Sequence, residues 1–122
     1  MSWSFTLPVV VPSANVLKRA LWGGNRARYS RERASIRLCV ATLGRGVPRA
    51  TGYRRVRITR VMGARARQYD HDNLVAGAKA LLDELVHAQI ILGDAPHQVS
   101  VEYAQERGDK AYGETRIEVD LR

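Results

Sequence analysis

The sequence predicts a small α+β domain, a mixed β-sheet packed against two main helices, with residues 1–122 forming a single unit. Period-two alternation of apolar and polar residues occurs at 2–10, 52–62, 99–103 and 115–121, and a strand sends alternate side chains to one face. Helical periodicity occupies 30–43 and 74–88, between the first and second and the second and third of those stretches. The order β-α-β-α-β-β is that of an α+β fold. At 122 residues the chain can bury one modest core, and 45% hydrophobic with 26% charged residues reads as a soluble globular domain.

In the first strand Trp3, Phe5 and Leu7 share a side, and Pro8 and Pro12 end it or confine it to a sheet edge. Pro12-Ser13-Ala14-Asn15 is turn chemistry, and residues 22–28 read as a mobile basic loop. Ser30 is the predicted N-cap of the first helix, with Glu32 in its first turn. Ala34, Leu38 and Ala41 form its apolar stripe, flanked by Ile36, Val40 and Leu43. Gly44, Gly46 and Pro48 stop it. Arg31, Arg33 and Arg37 lie off the stripe as a solvated face, and Cys39 reads as a buried thiol.

In the second strand Val56, Ile58 and Met62 share one face and Tyr53, Arg55, Arg57 and Thr59 the other, with Arg60 interrupting the apolar side. Leu74, Ala78, Leu81, Leu82 and Leu85 stripe the second helix. Val99, Val101 and Tyr103 alternate as a third strand, and Thr115, Ile117, Val119 and Leu121 as a fourth. The two are expected to pair as a hairpin across a loop at 106–113.

Charge divides the chain. Up to Tyr69 there are 15 Lys or Arg and one acid, Glu32; from Asp70 onward there are 5 Lys or Arg and 11 acids. Of the 20 basic residues, 17 are Arg, whose planar fork grips phosphate bidentately. A pI near 10.4 with the positive charge in one half suggests a polyanionic partner such as nucleic acid. Lys18, Arg19, Arg26, Arg28, Arg55, Arg57, Arg65 and Arg67 are the candidate phosphate contacts. No apolar run reaches the roughly 20 residues of a membrane span, and no signal peptide is evident, so a cytoplasmic protein is expected.

The acidic motif Asp70-His71-Asp72-Asn73-Leu74 follows directly on the basic half. In an extended chain Asp70 and Asp72 point the same way, and Asp72 or Asn73 can cap the helix from Leu74. Clustered carboxylates suit Mg²⁺, with Mn²⁺ the alternative, and Asp94 in the turn after the helix is the candidate third acid. Asp72, Ala76, Lys79 and Asp83 share one helical stripe. Lys79 can therefore lean back toward a site at Asp72 or pair with Asp83 one turn on. An EF-hand is excluded by Leu74 and Val75 at required ligand and glycine positions. The chain is too short for a doubly wound sugar-nucleotide domain. His71, His87 and His97 lack zinc-site spacing.

Asp70-His71-Asp72-Asn73-Leu74, then Lys79-x-x-x-Asp83-x-Leu85, then Gly93-Asp94, resembles the signature of the RusA-type Holliday-junction resolvases, often carried by phages and prophages. Pro12-Ser13-Ala14-Asn15 resembles that family's opening motif. The chain departs from the pattern twice: three additional residues separate Leu74 from Lys79, and Gly93 stands where an aspartate is frequent. The resemblance implies a homodimeric, Mg²⁺-dependent endonuclease that makes paired nicks in four-way DNA junctions during recombination and repair, in a bacterial or phage-infected cell. It places the metal ligands at Asp70, Asp72 and Asp94 and the essential lysine at Lys79; Asn73 is a further candidate DNA contact. The alternatives are a branched-DNA-binding protein without cleavage and a metal-dependent nuclease preferring flaps or forks.

Overall fold

Residues 2–10 and 26–120 are described by the computed structural model. They run β1 (Ser2–Leu7), α1 (Arg26–Leu43), β2 (Arg54–Met62), α2 (His71–Gly77), α3 (Lys79–His87), β3 (Val99–Arg107) and β4 (Glu114–Asp120). The strands form one mixed sheet in the order β1-β4-β2-β3. β2 and β3 are parallel, and β4 is antiparallel to both β1 and β2. One sheet face carries Phe5, Leu7, Val56, Ile58, Val99, Ile117 and Val119 into a core shared with Ile36 and Val40 of α1 and Leu81, Leu82 and Leu85 of α3. The α+β class, the mixed sheet and the two helical regions agree with the sequence reading.

The expected hairpin of the last two strands does not form. β4 lies between β1 and β2, and β3 pairs with β2 at the sheet edge. The α2–α3 crossover makes β2 and β3 parallel neighbours, as helical connections do. Ile117 and Val119, both 0% exposed, gain a strand on each side from the inner position.

Helix α1 begins at Arg26, so Ser30 lies inside it and is not its N-cap. Its buried face is Ile36 and Val40, while Ala34 and Ala41 are exposed and Leu38 is 68% exposed. The one-turn spacing of Ile36 and Val40 presents more apolar area than a stripe containing two alanines. Cys39 is half-buried against the core. Arg31 and Arg37 are exposed as a solvated face would be, but Arg37 and the half-buried Arg33 also reach the buried Glu84 of α3, with Arg37 Nε at 2.9 Å and Arg33 Nη2 at 3.4 Å from its carboxylate.

The second helix starts at His71 and divides at Ala78, whose φ of −80° and ψ of −5° depart from helical values. Ala78 N–H still reaches Leu74 O at 3.1 Å, so the axis is interrupted for one residue only. Arg54 is 8% exposed and donates to the carbonyls of Ile90 and Arg49, stapling two loops at the start of β2. Among the described residues no helix is long and apolar enough to cross a membrane. Pro12-Ser13-Ala14-Asn15, Lys18, Arg19, Leu121 and most of the 22–28 loop lie outside the described residues.

Candidate active site

Beyond the end of β2 the chain doubles back over the helix-facing side of the sheet. Register explains what it meets there. Arg60 of β2 pairs with Gln105 of parallel β3, and Met62 with Arg107, so these side chains stand together near the strand ends. Arg107 Nη1 donates to Ala64 O at 2.9 Å and Ala66 O at 3.0 Å. Arg60 Nη1 donates to Arg67 O at 2.9 Å. The Gln105 amide holds Tyr69 at both backbone groups, accepting from its N–H at 2.9 Å and donating to its carbonyl at 2.7 Å. The Tyr69 ring covers the Arg60 guanidinium, 3.5 Å from its centroid, a cation–π contact over a group only 4% exposed.

Asp70 follows at once and is the N-cap of α2. Its Oδ1 accepts from Asn73 N–H at 2.8 Å and its Oδ2 from the Asn73 side-chain amide at 2.9 Å. Asp70, and neither Asp72 nor Asn73, therefore caps the helix. Asp72 sits in the first turn, where its charge suits the helix dipole. Because the chain is already helical at Asp72, it and Asp70 do not project together as they would from an extended strand. His71 meets the half-buried Tyr103 of β3 edge-on, with ring centroids 6.4 Å apart.

Lys79 opens α3 and turns toward the loop after it. Its Nζ lies 2.6 Å from Asp94 Oδ2 and 3.4 Å from Asp83 Oδ1. The expected i, i+4 pair with Asp83 is present, but the ammonium goes chiefly to Asp94 and not back to Asp72. The hydrogen bond that Lys79 donates to Asp94 and the charge of Asp83 raise the Lys79 pKa, and Lys79 holds Asp94 below the usual carboxylate range. Burial raises the Tyr103 phenol, partly countered by the charge of Lys79.

The carboxylate oxygens of Asp70, Asp72 and Asp94 are the donor chemistry Mg²⁺ prefers. In this arrangement Asp70 is held by Asn73 and Asp94 by Lys79, and among the described residues no three His, Cys, Asp or Glu side chains converge as a metal-holding group. Gly93 packs against Gln98: a Cβ there would come within 2.1 Å of Gln98 Oε1, so an aspartate at this position requires the Gln98 side chain to move.

The candidate DNA contacts separate into two groups. Arg65 and Arg67 are exposed on the loop before Asp70 and have no acidic partner among the described residues. Arg55 and Arg57 point to the opposite sheet face. Arg55 Nη2 lies 3.2 Å from Asp120 and Arg57 Nε 3.8 Å from Glu102, with Glu118 opposite Arg57 on β4. Arg26 and Arg28 belong to the first turn of α1. Sequence reasoning passed over Gln105, Tyr103, Tyr69, Arg107 and Glu84. The signals were faint: Gln105 and Arg107 continue the inward alternation of β3, and Arg60, read only as an interruption of the apolar side of β2, is the neighbour that gives Gln105 its place. No protein-family model matches the chain, and no curated protein matches it.

Proposed function

We propose that the chain is a metal-dependent, structure-selective DNA endonuclease that cuts four-way junctions, in line with the resemblance of its acidic motif to the RusA-type resolvases. The observation that carries this reading is the contact of Lys79 with Asp94. These residues are 15 positions apart, both belong to the motif series, and they meet at 2.6 Å. Asp70, Asp72 and Asp94 would hold Mg²⁺ or Mn²⁺ only on drawing together from the separate positions they take here, and the metal when bound would activate water and offset phosphodiester charge. Lys79 stays protonated through neutral pH beside its acids and supplies positive charge to a phosphate oxygen. Arg65 and Arg67 hold backbone phosphates next to the motif, giving salt-dependent binding with little sequence information. A homodimer would present two related sites, as paired incision of a symmetric junction requires.

A second reading, a branched-DNA-binding protein without cleavage, is favoured by the full engagement of the Asp70 carboxylate by Asn73. Purified protein, a synthetic four-way junction, a fork and a matched linear duplex, each with Mg²⁺ or with chelator, distinguish the readings. Paired nicks in the junction that need the metal are expected. Tight binding without nicking under any divalent metal would overturn cleavage, and a preference for the fork would move the substrate. Asp72→Asn should abolish nicking and leave junction binding equal or tighter, because it removes an anion near the DNA.

A further inference from the structure

We infer that Arg60 and Gln105 are positioning residues for the acidic motif, acting through the backbone of Tyr69 to fix Asp70 at the mouth of α2. The inference rests on reading Asp70 and Asp72 as the reacting end of the site.

The geometry is economical. Gln105 grips both the N–H and the C=O of Tyr69, as a neighbouring strand would, although residue 69 belongs to no strand. Its Oε1 also accepts from Arg60 Nη1 at 3.0 Å, which fixes the amide so that oxygen faces N–H and nitrogen faces C=O. Arg60 closes the arrangement by donating to Arg67 O and lying under the Tyr69 ring. The residue after this grip is the cap whose two oxygens hold Asn73. A rotation at Tyr69 is therefore transmitted to Asp70 with no intervening residue to absorb it.

Stability alone gives a poor account of the arrangement. Arg60 is 4% exposed, and its Nε is buried with no acceptor among the described residues. Burying a guanidinium with one donor unpaired costs more than an apolar residue of the same shape would. Polar networks of this kind hold geometry, and sites need support that keeps reacting groups within about 0.5 Å of the productive position. The arginine on the apolar face of β2, out of place as a core residue, fits that use.

The test combines amide exchange with kinetics in the full-length protein. Gln105→Leu removes both bonds to Tyr69 at similar volume; Gln105→Glu retains an acceptor for Tyr69 N–H and Arg60 but loses the donor to Tyr69 O. In Gln105→Leu the amide of Asn73, which reports the Asp70 cap, should exchange at least about tenfold faster, while that of Ile117 in the sheet stays unchanged. Junction Kd should hold while the nicking kcat falls about 10- to 100-fold, the scale of a small misplacement of reacting groups. Gln105→Glu should lie between the two. Unchanged Asn73 exchange in both variants would overturn the inference, as would equal acceleration at Asn73 and Ile117, which marks a purely global effect. Should the wild-type protein prove unable to nick any substrate, the proposed function falls, while the Asn73 measurement still decides whether the clamp positions the motif.

Discussion

Arg55 and Arg57 on β2, and Arg65 and Arg67 just beyond it, form one basic row in the sequence and meet opposite circumstances in the fold. The first two face away from the helices, where the sheet order sets them beside acids: Asp120 and Glu118 on β4, Glu102 on β3. The second two ride on a loop on the helix side whose carbonyls are taken inward by Arg107, Arg60 and Gln105, leaving the guanidinium groups exposed. The division of the chain into a basic and an acidic half is therefore not a division of the surface. Strand β4, from the acidic half, inserts between β1 and β2 and neutralises the arginines it passes. Arg65 and Arg67, beside Asp70, keep their charge with no acidic partner among the described residues.

The most consequential partnered arginines are Arg33 and Arg37, because their acid is buried. Glu84 is 3% exposed and joins α1 to α3. Burial pushes its pKa up, but the hydrogen bonds and charge of Arg37, with those of Arg33, outweigh it and leave Glu84 below the ordinary value of 4.5. A depressed carboxyl stabilises the fold above its unfolded pKa, and this stabilisation is lost as pH falls through the lower folded value. Glu84→Ala should cost about 2 kcal/mol, less than the roughly 3–5 of a fully buried pair because Arg37 is 60% exposed. Urea unfolding at pH 7 and at pH 3 measures it. The gap between wild type and variant should narrow at the lower pH, and an equal gap at both would show that the ion pair is not its source.

The contrast between the two arginine groups has a direct test on DNA. Arg65→Ala with Arg67→Ala should weaken junction binding at low salt by about tenfold or more and flatten the slope of log K against log salt by roughly 2, about 0.9 per phosphate contact. Arg55→Ala with Arg57→Ala should change the slope by less than about 0.5. If the two pairs behaved alike, the outer sheet face would be part of the DNA path. Titrations at four or five salt concentrations suffice.

How much of this was legible in the sequence depends on the range of the signal. Strand and helix periods are local, so the α+β class and six element positions were readable, with errors at their ends. Helix α1 starts four residues before Ser30 because nothing local obliges Ser30 to cap. Strand order is not local: the pairing of β4 with β1 and β2 depends on how the last loop crosses the sheet, and alternation alone fits a hairpin equally well. The wrong stripe on α1 arose because Ala34, Leu38 and Ala41 have helical spacing just as Ile36 and Val40 do, and only the packed area separates them. At the site, the motif series named both Lys79 and Asp94 but aimed the lysine at Asp72 or Asp83, and its contact with Asp94, 15 residues away, depends on where the loop after α3 folds back. The Gln105 grip could not be read, because a glutamine near the end of a strand acquires meaning only when register sets it beside Arg60.

The smallest effect is expected at Glu102, and it sharpens the comparison because it adds positive charge without adding an arginine. Glu102 is 70% exposed and lies 3.8 Å from Arg57, so the pair is a loose, solvated one worth about 0–1 kcal/mol. Glu102→Gln should leave the unfolding midpoint nearly unchanged. It also removes the acid that lies within 4 Å of Arg57 on the outer face. If DNA runs only past the loop that bears Arg65 and Arg67, freeing Arg57 should alter junction Kd by less than about twofold, the residual effect of distant charge screened beyond a Debye length of roughly 10 Å in 0.1 M salt. Tightening by fivefold or more in Glu102→Gln, reversed by Arg57→Ala, would mean that the acids of β3 and β4 gate a second phosphate surface. The neutralised sheet face would then be a masked binding surface and not a solvated one.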